Sequence, residues 1–85
     1  MAFAPTRLTL ADAGETVRAG CEAIAAGDDQ IDLSGLQRFD SSALAALLAW
    51  RRAGAERGHA VRITHLPPGL LSMARVYGVV HLLDA

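Results

Sequence analysis

The stretch QIDLSGLQRFDSSALAALLAW, residues 30–50, decides how this chain is read. Its first four residues alternate, Ile31 and Leu33 on one side and Gln30 and Asp32 on the other, which predicts a short strand. Ser34 and Gly35 end it, and Leu36 to Phe39 reads as a link. Asp40, Ser41 and Ser42 are then three good helix N-caps in a row, because a short side-chain oxygen can accept from a first-turn N–H that has no partner inside the helix. Leu44, Leu47 and Leu48 fall on the buried side of the helix that follows. Ala43, Ala45, Ala46 and Ala49 raise its propensity, and Gly58 is placed to end it. Arg51 falls near the apolar stripe, where its stem is expected to be buried and its head in water.

Working outward, Arg7 to Leu10 alternates polar and apolar and predicts another short strand. Asp12 follows with Glu15 three residues on, the pattern of a capping box. Val17, Cys21, Ile24 and Ala25 then recur on one face of a helix that Gly27 closes. On the other side, Ala60 to Ile63 reads as a third strand. Pro67-Pro68 turns into a last helix carrying Leu70, Ala74 and Tyr77, with Gly78 at its end. Val79 to Leu83 is an apolar tail, read as a final strand or a packed extension. The order β-α-β-α-β-α predicts an α/β fold with parallel neighbours and crossover helices. Eighty-five residues suit one domain, residues 1–85.

Composition narrows the function classes. Eight basic and nine acidic side chains give a formal net charge of −1, with no basic stripe to serve a nucleic acid. Cys21 is alone, so neither an internal disulfide nor a Cys-based metal site can be built. No apolar stretch approaches the ~20 residues that a membrane helix needs. Any role at a membrane is therefore expected to run through a partner, at the inner face and from a cytoplasmic location.

Asp32-Leu33-Ser34-Gly35, then Asp40-Ser41-Ser42-Ala43-Leu44 and the Leu-rich helix to Gly58, resemble the STAS domain family of sulfate transporters and anti-sigma factor antagonists. Leu66-Pro67-Pro68-Gly69-Leu70, Ala74 to Gly78 and His81-Leu82-Leu83 match the family's last helix and tail, so the resemblance spans roughly residues 7 to 84. It implies a small mixed sheet of three to four strands with about three helices. Tyr77-Gly78 and the short length are most similar to the MlaB-type members, which bind the ATPase of the Mla phospholipid-transport system. Two departures stand out. Only one strand is readable where the family begins with a hairpin, which leaves a sheet edge able to pair with a second copy. Ala43 stands where the family usually has Gly after D-S-S.

The helix start at Asp40, Ser41, Ser42 and Ala43 is the candidate site. By spacing alone these residues are caps, worth ~1 kcal/mol to the helix. The resemblance implies instead a phosphoacceptor or an interface contact, with some first-turn amides facing outward to a partner. In MlaB-type members the hydroxyl directly after the Asp, here Ser41, meets the ATPase. In antagonists either Ser41 or Ser42 is the acceptor for an anti-sigma factor kinase. Trp50, Arg51 and Tyr77 are candidates for the same interface, Trp50 also being a candidate for burial against the sheet. No cofactor is implied and no catalysis: His59, His65 and His81 make no metal pattern, and no glycine-flanked nucleophile turn accompanies them.

Overall fold

The computed structural model describes residues 2–79. Its elements run β1 (Arg7–Leu8), α1 (Ala13–Ala25), β2 (Gln30–Asp32), β3 (Arg38–Phe39), α2 (Ser42–Glu56), β4 (Arg62–Thr64) and α3 (Pro68–Val76). This is the α/β arrangement expected, with three helices and four short strands. The apolar tail from residue 80 onward lies outside the described residues.

The strands pair in two small sheets. β2 lies parallel to β4, with Ile31 opposite Ile63, and β1 lies parallel to β3, with Leu8 opposite Phe39. Phe3 connects them: it bridges to Ile31 in parallel, accepting the Asp32 N–H at 2.8 Å and giving its own N–H to Gln30 at 3.1 Å. The segment from Phe3 to Leu8 thus touches β2 at one end and β3 at the other. All pairings among the described residues are parallel, and the N-terminal segment enters as one strand without a hairpin.

Several local readings change, among them the strand expected over Ala60 to Ile63, which lies at Arg62–Thr64. Arg38 and Phe39, read as a link, form β3, a strand too short for alternation to reveal. The first strand stops at Leu8 because the Asp12 and Ala13 N–H groups both turn back to the Thr9 carbonyl, at 3.0 and 2.8 Å. That turn also removes the capping box. Asp12 is the N-cap of α1 without making a side-chain cap bond. Its carboxylate accepts from the Thr9 hydroxyl at 2.6 Å and pairs with Arg7 at 3.4 Å.

Helix ends follow the glycines that the sequence marks. Gly27, Gly58 and Gly78 all have positive φ, a conformation open to glycine because it has no Cβ to clash. After each, the next N–H reaches back to the third-last helical carbonyl: Asp28 to Ala23, His59 to Gly54 and Val79 to Ala74, at 3.0, 2.8 and 2.9 Å. Each glycine N–H bonds the carbonyl one residue later, completing three Schellman closures.

The core lies between the strands and the α1–α2 pair. Leu8, Ile31, Leu33, Leu47, Trp50, Val61 and Leu70 are sealed from water. On α1 the buried positions are Gly20 and Ile24, with Val17 and Cys21 half-buried and Ala25 exposed. The expected face is therefore rotated toward Gly20, because Trp50 of α2 lies directly over that residue. A Cβ at Gly20 would sit 2.3 Å from the indole nitrogen. The two helices pack this closely only because that position has no side chain.

Candidate functional site

Asp40 closes β3 and opens α2, and its carboxylate holds two chain segments together. Oδ1 accepts the Ser42 N–H at 2.8 Å, and Oδ2 accepts the Leu10 N–H at 3.0 Å from the turn after β1. The Asp40 carbonyl takes the Ala43 N–H at 3.0 Å, and the Ser41 carbonyl takes that of Leu44 at 3.2 Å. The first three helical amides are therefore all engaged within the chain. This corrects the expectation of outward-facing N–H donors: the helix start offers hydroxyl chemistry, and Asp40 is the side chain that caps it.

The two serines differ. Ser41 is exposed, whereas Ser42 is half-buried beside the Asp40 carboxylate. Ala43 is fully buried, so its methyl group belongs to the core and not to a contact surface. The extra methyl in place of glycine therefore faces inward, since the helix turns this position toward Leu47 and the sheet.

Trp50 is likewise removed from the candidate interface. It is 0% exposed, its ring meets Phe3 edge-on at 5.5 Å between centroids, and its Nε1 donates to the Val17 carbonyl at 3.0 Å. The indole's polar group is satisfied by α1, which is what full burial of a tryptophan requires. Arg51 is half-buried, and instead of leaving its head in water it donates from Nη1 to the Val61 carbonyl at 3.3 Å, tying α2 to the segment before β4. Tyr77, at the end of α3, is 59% exposed.

The Asp40 carboxyl titrates below its ordinary value of about 3.8, because the Leu10 and then the Ser42 N–H groups stabilise the charged form, with the Ser42 hydroxyl adding to them. A group whose folded pKa is depressed contributes stability that is present above the unfolded pKa. That stability is lost as pH falls through the folded value. Asp40→Asn is therefore expected to lower the melting temperature at neutral pH and to flatten its fall below about pH 4. Thermal melts across pH 2–7 check this, and an acid limb unchanged by the substitution would refute the assignment.

The Asp32-Leu33-Ser34-Gly35 motif does comparable work at the end of β2. Asp32 Oδ1 accepts the Ser34 N–H at 2.9 Å and meets His65 Nδ1 at 3.0 Å, just past the end of β4. Its carboxyl is lowered chiefly by the Ser34 backbone N–H, with the Ser34 hydroxyl and His65 contributing further. His65 has a φ of 58°, unusual for a residue with a side chain. No spacing in the sequence announces this pair, because it forms only when β2 and β4 align. Among the described residues no three His, Cys, Asp or Glu side chains come together to hold a metal ion, and no helix is long and apolar enough to cross a membrane.

Comparison with known proteins supplies the family. The family model described as Mlab, STAS domain matches residues 5–84, nearly the whole chain. Comparisons with curated proteins and with solved structures returned no match.

Proposed function

The chain belongs to the STAS domain family, in its MlaB-type branch, and from that premise we propose that it is a docking subunit for the cytoplasmic ATPase of an ABC-type phospholipid transporter. The family itself makes it a small protein-interaction or regulatory domain. The finer reading is supported above all by one observation: Ser41 presents an exposed hydroxyl at the head of a helix that carries no charge until Arg51.

From Ser41 to Trp50 there is no charged residue. On the outer side Ala45 is exposed, and Leu48 and Ala49 are half-exposed. A helix flank that faces only water is normally charged or polar. A small, uncharged flank lets another backbone approach closely and requires little desolvation, and depletion of charge is a mark of an interface centre. Two copies of the subunit would sit on the two ATPases and favour their active arrangement through differential affinity for one state.

Ser41→Glu places a charge and added length at the centre of this surface. It is expected to weaken binding to the cognate ATPase by about tenfold or more, as burial of an unpaired charge does. Ser41→Ala is expected to have a smaller effect. Titration calorimetry or co-purification reads both, and wild-type affinity in Ser41→Glu would remove the proposed surface.

A second reading, an anti-sigma factor antagonist, rests on the same exposed hydroxyl. Phosphorylation of Ser41 would place about −2 charge beside the ionised Asp40 carboxylate and so repel an acidic partner. Intact mass after incubation with an anti-sigma kinase and ATP separates the two, since only the antagonist gains a phosphate.

A further inference from the structure

We infer a second binding surface, separate from the helix start at Asp40: the groove between the N-terminal segment and α1 takes an extended peptide segment of another protein, one that carries a basic side chain, as an added strand. The groove has a volume of about 390 Å³ and opens to solvent. One wall is the run of residues from Phe3 to Arg7, and the other is made by Asp12 and by Glu15, Thr16 and Ala19 of α1.

The backbone along the first wall is only half used. Phe3 pairs with β2, Leu8 pairs with β3, and the Thr6 carbonyl takes the Gln37 N–H at 2.8 Å. The Ala4 N–H and C=O and the Thr6 N–H have no partner among the described residues, and both residues are exposed. Pro5 between them has no N–H at all, which suits a chain at the margin of a sheet. Free donors and acceptors on such a margin let an extended chain add beside it, its main chain supplying affinity and its alternate side chains specificity. The α1 wall gives those side chains a surface to pack on. In a second copy of this protein the same segment is already walled by its own α1, so the occupant is a segment free of such cover.

Charge selects the kind of segment. Three charged side chains line the groove. Arg7 and Asp12 pair at 3.4 Å, whereas Glu15 has no ion pair among the described residues. Arg38, opposite Arg7 in the strand register, and Arg18, one turn along α1, are outside the lining. One carboxylate is therefore left uncompensated beside the small apolar surface of Ala4, Pro5 and Ala19. A lysine or arginine facing Glu15, with small apolar residues next to it, complements both.

The test uses the full chain labelled with nitrogen-15 and a capped hexapeptide of alternating valine and threonine with one central lysine. The expected result is a saturable set of shifts confined to the amides of Ala4, Thr6 and Arg7 and to those from Glu15 to Ala19. A peptide with glutamate in place of the lysine is expected to bind roughly three- to tenfold more weakly, and Glu15→Gln to reduce that preference to under about twofold. N-methylation of alternate amides along one side of the peptide is expected to cost at least about tenfold, and along the other side to cost nothing, because only one side meets the chain. No shifts at millimolar peptide, or equal tolerance of methylation on both sides, would overturn the added strand. Equal binding of the lysine and glutamate peptides would overturn the choice of a basic segment. Shifts of the same amides on concentrating the chain alone would give the groove to a second copy and overturn the proposal.

Discussion

Trp50→Ala is expected to lower stability by about 3–5 kcal/mol, the range for removing a buried aromatic ring. The indole is sealed from water, lies over Gly20 and meets Phe3, and its Nε1 serves the Val17 carbonyl. Truncation leaves a cavity between α1 and α2 that no neighbour can fill, since the facing residue of α1 is a glycine. It also loosens Phe3, the residue through which the N-terminal segment reaches β2. A chain of this length has roughly 4–13 kcal/mol to lose. The expected readout is a fall in melting temperature of at least about 15 °C, with unfolding at physiological temperature where total stability lies at the low end. Circular dichroism checks it independently of tryptophan fluorescence. A shift under about 5 °C would mean that the helices are not joined through this ring.

Gly20→Ala attacks the same contact from the other helix. Its methyl group would lie 2.3, 2.5 and 2.9 Å from three indole atoms, distances that force something to move. Either the ring swings and gives up its bond to Val17, or α1 lifts from α2. Overpacking of this kind costs about 1–3 kcal/mol, and losing the partner of a buried N–H adds about 1–3 kcal/mol more. The helix-propensity gain of alanine over glycine, about 1 kcal/mol, runs the other way and is too small to cancel them. Pairing the change with Trp50→Ala separates crowding from other causes, because alanine has no atoms where the indole ring lies. The double variant is expected to be more stable than the sum of the singles by about 1–3 kcal/mol. Strict additivity would contradict the contact.

These two variants also show where the sequence is readable and where it is not. Helix ends depend on neighbouring residues, so Gly27, Gly58 and Gly78 were legible as stops, and each proves to close its helix by the same local geometry. The helix start at Asp40 was legible for the same reason. Its second bond, to Leu10, was not, because 30 residues of chain intervene and only the fold brings them together. Trp50 shows the same limit. Helical periodicity points it away from Leu44 and Leu48, which left burial and an exposed anchor both open; that direction faces α1, where glycine leaves room, and the ring is buried there. The Asp12–Glu15 pattern looked like a capping box until a nearer hydroxyl, that of Thr9, and the Arg7 guanidinium took the carboxylate. β3 stayed hidden because two residues cannot display a period of two.

The placement of Phe3 to Leu8 governs the order in which this protein can assemble. These residues stand some thirty positions ahead of their partners, Ile31 at one end and Arg38 and Phe39 at the other. β2 and β4 stand about as far apart in the chain. Each sheet can therefore form only by closing a loop of about thirty residues, and that closure slows folding relative to a fold built from hairpins.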